Sequence, residues 1–183
     1  MTGAGPPRDD DLAAPDGPPT LVVGFGNPLM TDDGIGLAAL ERLRERWPPP
    51  AEVELLDGGT WGLFLLPRFE DATRILLLDA IDAGQEPGTV VELSGAAIPR
   101  AWSGGLSPHQ VGVRDLVALA TLRGTLPVDL VAMGIQPMRV RMGTALSDVA
   151  AAALDELVDR AIGRLEGWGH AAVPGPAGAA CTS

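Results

Sequence analysis

The chain has 183 residues, 46% of them apolar and 20% charged, with a formal net charge of −11 at pH 7. That length fits a single domain, no apolar run approaches the ~20 residues needed to cross a bilayer, and the acidic balance argues against sequence-independent nucleic-acid binding, which needs clustered cations. One cysteine, Cys181, excludes an internal disulfide or a cysteine metal cluster and points to a reducing, cytoplasmic setting.

Residues 1–19 are rich in Pro, Gly and Asp and lack the basic start and apolar middle of a secretion signal, so they are expected to form a disordered tail. Short β-branched runs then alternate with longer amphipathic ones, the pattern of βα units around a largely parallel, twisted sheet. Strands are predicted at 20–25, 52–56, 73–79, 88–93 and 128–134. The first helix is predicted over 34–46, with Ile35, Leu37, Ala38, Leu40 and Leu43 buried, and Trp47 followed by three prolines ends it. A second, shorter helix follows Thr60. The third has Ser107 as N-cap, Pro108 at its first position and Gly124 just beyond its end. The last runs from Ser147 to about Trp168. These elements predict a three-layer α/β/α sandwich over 20–169, followed by a flexible tail, 170–183, in which His170 is solvated. Trp61, Trp102 and Trp168 are read either as partner-facing or as ordinary packing residues.

The first strand opens into Gly24-Phe25-Gly26-Asn27-Pro28-Leu29-Met30-Thr31-Asp32-Asp33-Gly34-Ile35-Gly36. A strand, Gly-x-Gly and a helix form the frame of a dinucleotide-binding turn, where backbone amides and the helix dipole receive a pyrophosphate. Leu29 stands where the third glycine belongs, and Asp32 and Asp33 neutralise the positive end of the helix and repel phosphate. The loop therefore suits a cation or a proton.

In an open parallel sheet, ligands sit beyond the carboxyl ends of the strands. Asn27, Asp32 and Asp33 follow the first strand, Asp57 the second and Asp79 the third, while His109 starts the third helix. Asp79 leaves the apolar run Ile75-Leu76-Leu77-Leu78, so it is poorly solvated and needs a partner, which a cation would supply. The positive end of a helix disfavours imidazolium and keeps His109 in the neutral form that binds metals. Two carboxylates and an imidazole suit a divalent transition ion. Each residue also has a plainer reading. Asp32 or Asp33 complements the dipole, Asp57 caps a turn or the next helix, Asp79 is satisfied by backbone amides, and His109 is a surface or capping residue. The spacing alone matches no compact metal signature.

The glycine turn, Leu56-Asp57-Gly58-Gly59-Thr60, Leu78-Asp79-Ala80, Leu106-Ser107-Pro108-His109-Gln110 and Gly134-Ile135-Gln136-Pro137 occur in one order and spacing. Together they resemble the nickel-iron hydrogenase maturation endopeptidases. The resemblance implies an enzyme, grouped with aspartic-type peptidases, that removes a C-terminal extension from the hydrogenase large-subunit precursor after nickel insertion. Nickel held by the substrate is the implied recognition element, and no permanently bound cofactor is expected. The family's metal-contacting positions match Asp33, Asp79 and His109, with Asp33 and Asp79 as the catalytic carboxylates. Some relatives carry Glu at the first position, so the shorter Asp33 leaves open which of Asp32 and Asp33 reaches the metal. Asn27, Asp32, Asp57 and Gln110 are assigned to orienting ligands or substrate. The chain is expected to be a cytoplasmic monomer without nucleic-acid partners or membrane insertion, and the loops at 99–105 and after Pro137 are assigned substrate choice from their position near the proposed crevice. Two other readings stand beside it: a non-catalytic nickel-binding chaperone using the same three ligands, and a dinucleotide-binding oxidoreductase using Gly24, Gly26 and Asp57.

Overall fold

The apolar runs form strands β1 (Thr20–Phe25), β2 (Val53–Gly59), β3 (Arg74–Ala80), β4 (Val90–Ser94) and β5 (Asp129–Ile135). Between and after them lie helices α1 (Ile35–Arg46), α2 (Leu66–Asp71), α3 (Pro108–Arg123) and α4 (Asp148–Gly167). This computed structural model describes residues 20–98 and 108–173, and of residues 96 and 108–111 only the backbone. The five strands form one sheet in the order β2-β1-β3-β5-β4. β1 pairs in parallel with both β2 and β3, and β3 with β5. β4 alone is antiparallel, at the edge beside β5. The loop 81–89 leading into it contains no helix. Without a crossover, the chain re-enters the sheet from the carboxyl edge and must run backwards.

Alternation along the strands divides the core into two layers. Val22, Leu76, Leu78, Val131 and Met133 face α1 and α4, where Ile35, Leu40, Leu43, Leu157 and Leu165 meet them. Leu21, Val23, Ile75, Leu77 and Ala132 face the other way, against Phe69 of α2 and Val113, Leu116 and Val117 of α3. The result is the predicted three-layer α/β/α sandwich. β1 and β3 are buried on both faces, as central strands under two helical layers must be.

The details differ from expectation in three places. On α1, Leu37 and Ala38 are only half-buried, and Ala39 takes their place in the core. The cause is the close seating of this helix: a Cβ on Gly36 would lie 2.1 Å from the Leu78 carbonyl oxygen, so the face centred on Gly36 points straight at the sheet. The segment after Thr60 begins as a tight 3-10 turn, Gly62–Leu65, before becoming α2. His170 is packed, not solvated: its Nε2 lies 2.8 Å from Thr20 Oγ1, while the Val173 N–H donates to the Pro48 carbonyl at 3.0 Å. The caps of the last two helices follow the sequence. Ser147 caps α4 by accepting from the Ala150 N–H, and Gly124 follows α3 with φ +70°. Ser107 lies outside the described residues. Among those described, no helix is long and apolar enough to cross a membrane.

Candidate active site at the sheet switch point

The connection from β1 runs by way of α1 to β2 on one side, whereas the chain leaving β3 goes on to β4 and β5 on the other. The carboxyl ends of β1 and β3 therefore border the crevice where open α/β sheets receive ligands. Asp33 leaves β1 toward this crevice in the 3-10 turn Thr31–Gly34, which packs against β3. Asp79 stands one residue before the end of β3. Both carboxylates are fully buried.

Glycine makes the first of these placements. Gly26 has φ +128°, and a Cβ there would lie 1.9 Å from the Asp33 carbonyl oxygen, so only glycine lets the loop fold back on its own turn. The returning loop presents the Asn27 N–H to Asp33 Oδ2 at 3.1 Å. Asn27 Oδ1 accepts from the Leu29 N–H at 3.0 Å, which shapes the bend from within. Asn27 thus orients Asp33 through its backbone.

Asp79 shares its strand face with Ile75, Leu77 and Ile81, so it points toward the α3 layer. Its Oδ1 accepts from the Ala80 N–H at 2.7 Å. The start of α3 lies at the same edge of the sheet. Gly62, just beyond β2, meets Gly112 in the opening turns of α3, with a Cβ on Gly62 falling 2.9 Å from the Gly112 Cα. The backbone of His109 and Gln110 is therefore carried at the carboxyl edge, on the face toward which Asp79 points. The side chains of His109 and Gln110 lie outside the described residues, as do 99–105 and Trp102. Among the described residues, no three His, Cys, Asp or Glu side chains form a metal-binding group.

Asp32 has a different environment from Asp33. Its Oδ1 accepts from the Ser147 N–H at 2.6 Å, and its Oδ2 from Ser147 Oγ at 2.8 Å, the Met138 N–H at 2.9 Å and the Arg139 N–H at 3.1 Å. Burial pushes its pKa up, but these hydrogen bonds from Ser147, Arg139 and Met138 outweigh it and hold the carboxyl below its ordinary value. With its oxygens so engaged, Asp32 is an anchor for the strap that follows β5. Thr31 completes the anchor: its Oγ1 donates to the Arg139 carbonyl and accepts from the Arg141 N–H, while its own N–H bonds the Gly143 carbonyl. For these contacts Thr31 adopts φ +45°, a conformation that is strained for a β-branched residue.

Asp57 is exposed near the end of β2, opposite Gly24, and its side chain makes no hydrogen bond with the described residues. Its capping reading is thus not seen, although it stands on the crevice edge one strand away from β1. Beside it, Trp61 and Phe64 are 65% and 82% exposed and meet edge to face. Sequence reasoning gave no role to Gln136. Buried after β5, it accepts through Oε1 from the Ala83 and Gln85 N–H groups and donates through Nε2 to Asp82, fixing the loop that follows Asp79. A polar residue directly after an apolar strand was the one available signal. Between the first loop, α1 and the strap lies a groove of about 260 Å³, lined by Pro28, Thr31, Leu37, Ala38, Glu41 and Leu146 among others.

The chain and its fold are similar to those of known proteins. The model of the hydrogenase maturation protease family matches residues 37–164, which include Asp79 and His109 and begin just after Asp33. The chain is 40% identical over 152 residues to the hydrogenase expression/formation protein HupD of Rhodobacter capsulatus, spanning 81% of this chain and 72% of that one. It is 32% identical over 155 residues to the hydrogenase 2 maturation protease of Escherichia coli, spanning 84% and 94%. Its fold is similar to that of the hydrogenase maturating endopeptidase HybD from E. coli. The TM-score is 0.80 at 31% identity, over 85% of this chain and 97% of that one.

Proposed function

This chain belongs to the hydrogenase maturation protease family, and from that premise we propose that it removes the C-terminal extension of a nickel-iron hydrogenase large-subunit precursor. In this reading nickel already seated in the precursor is the recognition element, contacted by Asp33, Asp79 and His109. The observation that carries the reading is the delivery of two fully buried carboxylates to the switch point from adjacent strands. Burial of that kind is costly unless a proton, a donor set or a cation offsets it, and a metal presented by the substrate is one such partner.

The chemistry is hydrolysis of one peptide bond. A carboxylate of the pair accepts a proton from water as the water oxygen attacks the scissile carbonyl carbon. The carbonyl is polarised by the second carboxyl group or by the substrate's own nickel. The C–N bond then breaks, and the proton passes to the departing amine. Between the two first-loop acids, Asp33 takes the reactive role, because Asp32 is engaged by the strap. The enzyme is expected to act in the cytoplasm, without a metal of its own.

Alanine replacement tests the assignment. Asp79→Ala and His109→Ala are expected to lower precursor cleavage by at least about a hundredfold while the circular dichroism spectrum stays that of the parent. Cleavage at the parent rate by both variants would overturn it.

A further inference from the structure

The sequence contains no lysine, so arginine carries all its fixed positive charge, and most of that charge is used inside the fold. Arginines from Arg42 and Arg46 on α1 to Arg160 and Arg164 on α4 reach carboxylates on the same or a neighbouring element. Among the described residues, Arg139 and Arg141 are the exceptions. They are exposed on the strap after β5, two residues apart, and no carboxylate of the described residues lies within ion-pair distance of either guanidinium. Asp32, which receives the Arg139 backbone N–H, is buried and already engaged. The flanking Met138 and Met142 are 57% and 89% exposed.

Uncompensated positive charge is unusual on a protein of net charge −11. It is also held in place. Asp32 binds the Met138 and Arg139 N–H groups, Thr31 binds the Arg139 carbonyl and the Arg141 N–H, and the Gly143 N–H donates to the Leu29 carbonyl. The strap is thereby fixed to the same loop that presents Asp33. A partner engaging it loses little further freedom in the enzyme, which favours binding. Methionines at both ends supply adaptable apolar contact.

We propose that residues 138–142 form a docking edge for a carboxylate-bearing segment of the large-subunit precursor, with Arg139 and Arg141 as its charge contacts. This rests on the processing function above and adds a specificity surface to it. Docking here would place the rest of the precursor across the crevice holding Asp33 and Asp79. The two guanidiniums, fixed on one short segment, favour a segment with closely spaced acids or a free C-terminal carboxylate over a single weak charge. The remainder of this acidic surface repels such a segment, so the pair also sets where it lands.

The test titrates nickel-loaded precursor against the full-length chain and against Arg139→Gln/Arg141→Gln, at low and high salt, with cleavage followed in parallel. The double variant is expected to bind about tenfold more weakly at low salt, with the gap closing at high salt. Its KM should rise to match while kcat stays within about twofold. Arg139→Lys/Arg141→Lys, which keeps the charge, should recover most of the affinity. Unchanged affinity and salt dependence in the Gln variant would overturn the docking edge. Failure of the parent protein to cut a competent precursor would instead count against the processing function, and the binding titration would still decide the arginine pair.

Discussion

Adjacent aspartates in one turn have been given separate tasks by their surroundings. Asp32 holds the strap after β5 through the Ser147, Met138 and Arg139 backbone amides and the Ser147 hydroxyl, whereas Asp33 takes the Asn27 N–H at the crevice. The sequence could not distinguish them, because the partners of Asp32 lie 106 and 115 positions downstream and no local pattern announces them. Asp32 makes a stability prediction. Its folded-state pKa is held below the ordinary value of 3.8, so its contribution is complete above about pH 5 and is lost as pH falls through the lowered value. Asp32→Asn turns one acceptor into a donor facing N–H groups and is expected to cost about 2–3 kcal/mol at neutral pH. Urea unfolding should show that the gap from the parent narrows as pH drops below 3.8. A gap that stays constant between neutral and acid pH would contradict the anchoring role.

Helices and strands were legible where periodicity was strong. The all-apolar runs at β1 and β3 announce central strands, and the Ser147 and Gly124 signals fix helix ends. The reversal of β4 was not legible, since five apolar-rich residues carry no mark of direction. Nor was the seating of α1. Periodicity placed Leu37 and Ala38 in the core, but the contact is made by Gly36, which lets the helix backbone approach the β1–β3 junction. Two glycine substitutions separate these cases. In Gly36→Ala the new Cβ would fall 2.1 Å from the Leu78 carbonyl and 2.4 Å from that of Phe25. Helix and sheet must then part, at a cost of about 3 kcal/mol or more, with activity lost as Asp33 moves from Asp79. Gly163 of α4 has open space around its Cβ position, so Gly163→Ala should stabilise by about 0.5–1 kcal/mol through helix propensity. Thermal melts of the two variants decide this, and shifts of the same sign would contradict the packing described for α1.

Across the whole molecule, the strand order assembles a site from distant parts of the chain. Asp33 follows β1, Asp79 lies in the last two residues of β3, and the backbone of His109 is brought to the same edge by the meeting of Gly62 with Gly112. The sequence singled out Asp33 as an acid at a helix start beyond a glycine turn, and Asp79 as the acid that follows an apolar run. The strap and the Gln136 network escaped it, because their bonds join segments with no shared motif. The proposed function treats the fold as a reader of the metal inside another protein, so cleavage should depend on what that protein contains. The most direct measurement is the mass of a large-subunit precursor after incubation with this chain, once with nickel loaded and once without. Loss of a C-terminal peptide from the nickel-loaded precursor alone is expected. Equal cleavage of both would contradict recognition through nickel, and an unchanged mass in both would contradict the protease itself.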